Sequence, residues 1–269
     1  MFLFRFFKKN KRQIKIGYAL GSGGAKGFAT LGVIKALEEN DIYPDVIAGT
    51  SIGSIIGALL ANGYSSTDIT EMLKSFNLGK LINAVMLSVD GDAVKSTLDD
   101  YLGEKNFNEL KKPFSAIATD LHTGEEVVLN SGNVASAITA SSCYPPFFKP
   151  YEIDGELLVD GAFTNSVPAD VVKNLGADFI IGVDLSDHQS KPSILSRIFP
   201  TYQGKVEKPW QKGYEYSDIV LQIPLSGYKS TSFKDGEVMF NIGYNFAKEK
   251  IQEIKGLLDN AKKKNKRKK

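Results

Sequence analysis

A serine between two glycines is the first candidate for chemistry in this chain. Ser51 lies in Gly49-Thr50-Ser51-Ile52-Gly53, between an apolar strand predicted over 45–49 and a small-residue helix predicted over 52–62. The pattern Gly-x-Ser-x-Gly at a strand-to-helix turn is typical of a nucleophile elbow, which exposes the serine hydroxyl at the start of a helix. Such spacings also arise by chance in a chain with 25 glycines. The flanking strand and helix are what favour Ser51 as a nucleophile.

A glycine-rich loop lies upstream, where the strand predicted over 14–20 runs into Gly-Ser-Gly-Gly-Ala-Lys-Gly at 21–27. Backbone N–H groups in such a loop can point together at an anion. Lys26 is not followed by Ser or Thr, which excludes a Walker A phosphate loop. The third glycine comes one position too late for a dinucleotide fingerprint, and the second strand lacks the acidic end of that motif. The remaining interpretations are tight strand–helix packing or an oxyanion hole, and the nearby Ser51 favours the oxyanion hole.

Two histidines and one aspartate are candidates for the general base. His122 lies in a predicted turn, and His188 follows the strand predicted over 178–184, a better position for a triad member. An α/β-hydrolase places several strands before its elbow, whereas this chain has one strand before the elbow strand. Asp160 ends a short apolar strand, and Asp154, six residues earlier, is predicted to form the hairpin turn that starts it. A free carboxylate has a pKa near 3.9, so Asp160 can serve as base only in direct contact with the serine and away from water.

The glycine loop, the elbow serine and the Asp160-Gly161 turn occur in the order and spacing of the bacterial patatin-like phospholipases, which this chain resembles from about Ile14 to Ile254. The segments 31–39, 140–147 and 242–244 also match that family. The resemblance implies that Ser51 is the nucleophile, that Asp160 is base and orienting residue, and that no metal or cofactor is needed. It also implies that the oxyanion is held by backbone N–H groups of Gly23, Gly24 and Ala25. The remaining residues of these motifs are expected to support the site: Gly21, Lys26, Gly27, Gly49, Gly53 and Gly161.

Two departures from the family pattern concern substrate preference more than activity. Lys26 stands where relatives often carry arginine, and Ala162 follows the Asp-Gly pair where plant relatives have glycine. The resemblance implies hydrolysis of carboxylic esters of lipids or phospholipids through an acyl-serine intermediate. An acyltransferase or thioesterase with the same dyad, or a non-catalytic lipid-binding regulatory protein, remains as an alternative.

Length and composition predict one sizeable α/β domain, because 269 residues with 42% hydrophobic content can bury a single core. Seven predicted strands alternate with seven predicted helices, which favours a mostly parallel sheet with helices on both faces, a three-layer architecture. The predicted organisation is a basic and aromatic tail over 1–13, the hydrolase domain over 14–258, and a basic tail over 259–269. Within the domain, 143–148 and a long loop over 187–217 are expected to line the acyl groove, the latter as a lid.

Positive charge is concentrated near the two ends of the sequence. Residues 1–12 hold five basic residues and 262–269 hold seven, with no acidic residue in either; removing these twelve charges from the net +2 leaves −10 for the rest. Four phenylalanines and a leucine accompany the basic residues of 1–12, which suits contact with an anionic bilayer. Solvated tails or a nucleic-acid contact are the alternatives, and nucleic acid is the less favoured partner.

A cytoplasmic location, peripheral on the inner face of the membrane, is the expected placement. The single cysteine, Cys143, excludes an intramolecular disulfide and suits a reducing compartment. The apolar part of 1–12 is too short for a signal sequence, and no segment reaches the length of a membrane span.

Overall fold

The structure is a computed structural model, and it describes residues 13–75, 91–145, 147–188 and 208–267. The predicted bilayer contact of 1–12 and most of the predicted lid over 187–217 lie outside these residues.

One sheet of eight strands forms the centre of the protein. Its order is β5-β6-β3-β2-β1-β7-β8, with β4 paired to β3. The pairs among β1, β2, β3, β7 and β8 are parallel, while β4 and β6 pair with β3, and β5 with β6, in antiparallel fashion. The strands are β1 Ile16–Leu20, β2 Val46–Thr50, β3 Phe114–Asp120, β4 Glu126–Leu129, β5 Tyr151–Ile153, β6 Glu156–Asp160, β7 Phe179–Asp184 and β8 Ile219–Gln222. The predicted mostly parallel sheet is confirmed; β5 was not predicted, because three residues are too few to establish an alternation.

Helices cover the sheet on both faces. They are α1 Gly27–Glu38, α2 Ile52–Asn62, α3 Ser66–Ser75, α4 Gly91–Leu102, α5 Val134–Ser142, α6 Ala169–Asn174, α7 Gln211–Tyr216 and α8 Gly236–Arg267. Helix α7 was not predicted. Helix α8 does not end near 258 as predicted but continues to Arg267, because a lysine-rich segment is a good helix former and complements the negative end of the helix dipole. No helix in the described part of the chain combines the length and apolar character needed to cross a bilayer.

Alternating side chains on the central strands separate two cores. On β1, Tyr18 and Leu20 belong to the larger core beneath α1, α2 and α8, whereas Ala19 faces the smaller core beside α6. On β7, Ile181 likewise faces the larger core and Ile180 the smaller. The central strands are therefore apolar on both faces, as buried parallel strands are, and the three-layer prediction is confirmed.

Strand β3 brings the ends of β2 and β6 together. Its residues 114–117 pair with β2, 116–119 with β4, and 118–120 with β6. Residues 116–117 of β3 pair with both β2 and β4, and residues 118–119 pair with both β4 and β6. Because two strands that pair with the same residue lie on opposite sides of it, β4 lies on one side of β3 and both β2 and β6 lie on the other. Thr50 pairs with Ile117 and Asp160 with Ala118. Since β2 is parallel and β6 antiparallel to β3, the two strands meet at their carboxyl ends, which places Ser51 beside Asp160.

Candidate active site

The turn at Ser51 has the strained backbone of a nucleophile elbow. Ser51 has φ 55° and ψ −126°, a region that non-glycine residues occupy only when the surrounding structure holds them there. Its carbonyl oxygen accepts hydrogen bonds from the N–H of Ser54 at 2.8 Å and from that of Ile55 at 3.2 Å. Its own N–H donates to the Ser141 hydroxyl at 3.0 Å. Bonds on both sides thus fix the turn, with the Ser51 side chain at the start of α2.

The two glycines of the elbow permit close approach of backbone segments. A Cβ atom on Gly53 would lie 2.2 Å from the carbonyl oxygen of Leu20 in β1, and one on Gly49 would lie 2.2 Å from the carbonyl oxygen of Gly53. Neither glycine has a positive φ, so the strain of the turn is carried by Ser51 itself. Any larger residue would push α2 away from the sheet.

Hydrogen bonds of its own N–H and carbonyl oxygen fix the backbone of Asp160. Its N–H donates to the carbonyl oxygen of Cys143 at 3.0 Å, and its carbonyl oxygen accepts the hydroxyl of Thr119 at 3.1 Å. The following Gly161 lies so close to β3 that a Cβ atom there would be 2.3 Å from the carbonyl oxygen of Ile117. The side chain of Asp160 is therefore delivered to one place, with a residue exposure of 1%.

The Ser51 side chain lies next to the Asp160 carboxylate and acts on its pKa as a hydrogen-bond donor. The carboxylate also accepts the N–H of Ala162 at 2.8 Å. Burial raises the pKa of Asp160 to about 7, while these two hydrogen bonds act in the opposite direction. A carboxylate with such a pKa is a better acceptor for a hydroxyl proton at neutral pH than an exposed aspartate. Asp160 therefore lies next to Ser51, as a weakly basic carboxylate must if it is to act as the base.

The backbone amides of the glycine loop differ in whether they have a hydrogen-bond partner. The N–H groups of Gly23 and Gly24 have no hydrogen-bond partner among the described residues, whereas that of Ala25 donates to the carbonyl oxygen of Ser230 at 2.7 Å. This corrects the predicted donor set, because the loop around Ser230 packs on the glycine loop and occupies the Ala25 amide. Gly24 has φ +55°, and a Cβ atom on it would lie 2.5 Å from the same Ser230 oxygen.

The remaining residues of the glycine loop join it to its surroundings. The N–H of Gly21 donates to the carbonyl oxygen of Val183 in β7 at 2.9 Å, and a Cβ atom on Gly27 would lie 2.3 Å from the side chain of Ile52. Lys26 Nζ lies 3.5 Å from the carbonyl oxygen of Leu185, and partial burial lowers the pKa of Lys26. These contacts fix the loop between β7 and the start of α2.

Neither histidine is bonded to the dyad. His188 forms a hydrogen bond through Nε2 to Asp184 Oδ2 at 2.7 Å, and its ring stacks on Trp210 with centroids 4.1 Å apart. His122 lies in the predicted turn, where its N–H donates to Asp120 Oδ1 at 2.9 Å. The triad alternative therefore receives no support from the geometry, and a Ser–Asp pair remains.

Two supporting residues were missed by sequence reasoning. The fully buried Ser141 binds the Ser51 amide, and the fully buried Thr50 donates its hydroxyl to the carbonyl oxygen of Asn165 at 2.7 Å. Ser141 lies in the segment 140–147 that matches the family, and this match could have marked it as a site residue. Its role becomes visible only from the packing of α5 against the elbow.

The apolar segment predicted to line the acyl groove begins beside Asp160. The carbonyl oxygen of Cys143 binds the Asp160 amide, and the ring of Tyr144 stacks on that of Phe163 with centroids 4.9 Å apart. Phe147 is 39% exposed, a large fraction for such a residue. An acyl chain in contact with this segment remains a prediction.

Comparison with known proteins gives matches in sequence and in fold. The chain is 28% identical to neuropathy target esterase sws of Drosophila melanogaster, over 87% of this chain and 19% of that protein. It is 31% identical to an uncharacterized NTE family protein of Mycobacterium tuberculosis, over 66% of this chain and 51% of that protein. The crystal structure of VipD from Legionella pneumophila has a similar fold, with a TM-score of 0.64, 15% identity, and coverage of 93% of this chain and 67% of that one.

This chain spans about a fifth of the fly relative and about half of the mycobacterial one. The family model of the patatin-like phospholipases matches residues 18–173, which include the glycine loop, Ser51 and Asp160. The chain belongs to the patatin-like phospholipase family.

Proposed function

We propose that this protein is a serine lipid acyl hydrolase that cleaves carboxylic esters of phospholipids or related lipids through Ser51 and Asp160. The observation that carries the proposal is the placement of Ser51, on a strained elbow, beside the buried carboxylate of Asp160 where β2 and β6 meet. Membership of the patatin-like phospholipase family supports a lipid ester as substrate.

In the proposed reaction, Ser51 Oγ attacks the ester carbonyl carbon while its proton passes to Asp160. The negative charge that develops on the carbonyl oxygen is stabilised by the N–H groups of Gly23 and Gly24. The tetrahedral intermediate then collapses, the alcohol departs with the proton from Asp160, and the acyl group remains on Ser51. Water, deprotonated by Asp160, releases the fatty acid and restores the hydroxyl.

We place the protein in the cytoplasm and peripherally on an anionic membrane. The single cysteine of the sequence supports a reducing compartment. The basic residues within 1–12 and 262–269 support an anionic membrane surface as a partner.

The test is product release from mixed phospholipid vesicles, analysed by mass spectrometry. Wild type, Ser51→Ala, Asp160→Asn and His188→Ala are compared, with circular dichroism as a check of folding. Fatty acid and lysolipid from wild type and the His188 variant, but from neither dyad variant, are expected. Loss of activity in the His188 variant would revive a triad. Turnover only when an acceptor alcohol or thiol is added would favour acyl transfer, and lipid binding without turnover or phosphonate labelling would favour the binding-only alternative.

A further inference from the structure

The parallel strands all begin at one end of the sheet and finish at the other. We call the end where they begin the amino edge and the end where they finish the carboxyl edge. Ser51 and Asp160 lie at the carboxyl edge, where β2 and β6 end. At the opposite, amino edge, strands β1 and β7 begin at Ile16 and Phe179. The carboxylate of Asp178 accepts the N–H of Lys15 there, at 3.0 Å.

Helix α8 runs from the carboxyl edge toward the amino edge. A Cβ atom on Gly243 of α8 would lie 2.0 Å from the carbonyl oxygen of Ala29, in the first turn of α1, the helix that begins at the glycine loop. Further along, Lys255 Nζ binds Asn40 Oδ1 at 2.9 Å, just beyond the end of α1. With 32 residues, α8 is about 48 Å long.

The last turns of α8 reach the amino edge itself. Together with the starts of β1, β7 and β8 they line a cleft of about 620 Å³, whose wall includes Ile14, Lys173, Asp218, Lys263 and Lys264. The basic segment at the end of α8 therefore lies at the end of the sheet opposite Ser51.

Five lysines lie at this edge beside the carboxylates of Asp178 and Asp218, and one of them, Lys262, is paired with Asp259 at 3.2 Å. The side chains of Lys15, Lys173, Lys262, Lys263 and Lys264 are exposed. Residues 1–12 join the described chain at Gln13, next to Ile14 in the wall of the cleft. The sequence before Gln13 contains five basic residues, and the described lysines of 262–264 lie at the same edge; without 1–12 and 262–269 the protein has a net charge of −10.

We propose that the amino edge is the surface that binds an anionic bilayer, so that the bound protein holds Ser51 and Asp160 away from that bilayer. This deepens the proposed membrane placement and rests on it, but does not depend on the proposed hydrolysis. A bilayer is favoured over nucleic acid because residues 1–12 combine the basic side chains with Phe2, Leu3, Phe4, Phe6 and Phe7. An apolar anchor plus a polybasic segment is the pair of signals that stable membrane attachment requires.

The orientation has a consequence for the substrate. An enzyme held by its amino edge does not draw lipid directly from the leaflet beneath it. The lipid ester is expected to reach Ser51 as a dispersed molecule or from a facing membrane.

The first experiment measures co-sedimentation of the Ser51→Ala protein with phosphatidylcholine vesicles that contain or lack phosphatidylserine. Replacing Lys262, Lys263 and Lys264 by Gln should lower binding to the anionic vesicles by about tenfold or more. The matched control replaces three exposed lysines near the carboxyl edge, Lys149, Lys229 and Lys234, and should change binding by less than about threefold. Equal losses in both triple variants, a greater loss in the control, or no preference for anionic vesicles would overturn the proposal.

The second experiment measures orientation. A fluorophore on Lys264→Cys or on Lys149→Cys is exposed to vesicles carrying a nitroxide on the lipid headgroup; the natural Cys143 is buried and stays unlabelled. Quenching at position 264 and little at 149 is expected, and the reverse pattern refutes the orientation. Tight binding of an RNA oligonucleotide without vesicle binding would assign the edge to nucleic acid instead. Because the protein carries Ser51→Ala, none of these results bears on the hydrolysis test.

Discussion

Two buried aspartates end strands of the same sheet, Asp160 at the end of β6 and Asp184 at the end of β7, and they differ in what surrounds them. Asp160 and Asp184 are each 1% exposed. Asp184 accepts the N–H and hydroxyl of Ser186 at 2.9 and 2.6 Å, receives the hydroxyl of Tyr214 at 3.0 Å, and is hydrogen-bonded to His188 at 2.7 Å. Asp160 has the hydroxyl of Ser51 and one backbone N–H.

The difference shows that burial by itself does not make a carboxylate a base. A buried charge with a full set of donors is stabilised where it is and serves to hold the structure. A buried charge with few donors, one of them a serine on a strained elbow, is ready to accept that serine's proton. We therefore expect Asp184 to act on stability and Asp160 on chemistry.

The sharpest test of this comparison is a matched pair of substitutions. Asp160→Asn should lower kcat by about 10³-fold or more, because the amide cannot accept the Ser51 proton. Asp184→Asn should leave kcat within about tenfold but lower the free energy of unfolding by about 1–3 kcal/mol, since its donors lose a charged partner. Steady-state kinetics and urea unfolding of both variants decide the matter. If Asp184→Asn is the more damaging to kcat, the assignment of roles is wrong.

A smaller effect is expected from the residue that supports the elbow. Ser141→Ala removes the acceptor of the Ser51 amide and should lower kcat by about 10–100-fold with little change in KM, because the nucleophile loses its fixed position. The control is Ser142→Ala, whose hydroxyl donates to the Ile138 carbonyl within its own helix, at 2.8 Å. A Ser141 variant with normal kcat, or one with proportional changes in kcat and KM, would contradict a positioning role.

The pH dependence of activity should reflect Asp160. The reaction requires its ionised form, and its pKa is raised to about 7, so kcat/KM should rise by about tenfold per pH unit below that value and level off above it. A soluble ester substrate allows the profile to be measured without changing vesicle charge. A profile that is already flat below pH 5 would mean that Asp160 titrates like an exposed aspartate of pKa about 4.

The smallest effect is expected at the Asp184 cluster. Tyr214→Phe removes one of several donors to Asp184 and should lower the free energy of unfolding by about 1 kcal/mol without a change in kcat. Thermal unfolding and the vesicle assay measure the two quantities. A decrease of kcat beyond about threefold would connect this cluster to catalysis after all.

Much of the site was accessible from the sequence because its signals are local. The elbow around Ser51 follows from small residues between an apolar strand and a helix. The Asp154-Gly155 hairpin is confirmed, with φ 53° and 84° at the two residues, which is the combination that Asp-Gly pairs favour. Ala25 was misassigned because its partner, Ser230, belongs to a distant loop, and the end of α8 was misplaced because a lysine-rich segment does not indicate by itself whether it is helical.

The sequence by itself determined the residue types of the site, the strands and turns that present them, and the family. Only the tertiary structure decided that Ser51 and Asp160 touch, because that contact depends on β2 and β6 meeting on one edge of β3. It also decided that His188 pairs with Asp184, and that the basic end of α8 lies opposite the dyad. Burial raises the pKa of Asp160 to about 7, and burial is a property of the packed protein that no local segment of the sequence contains.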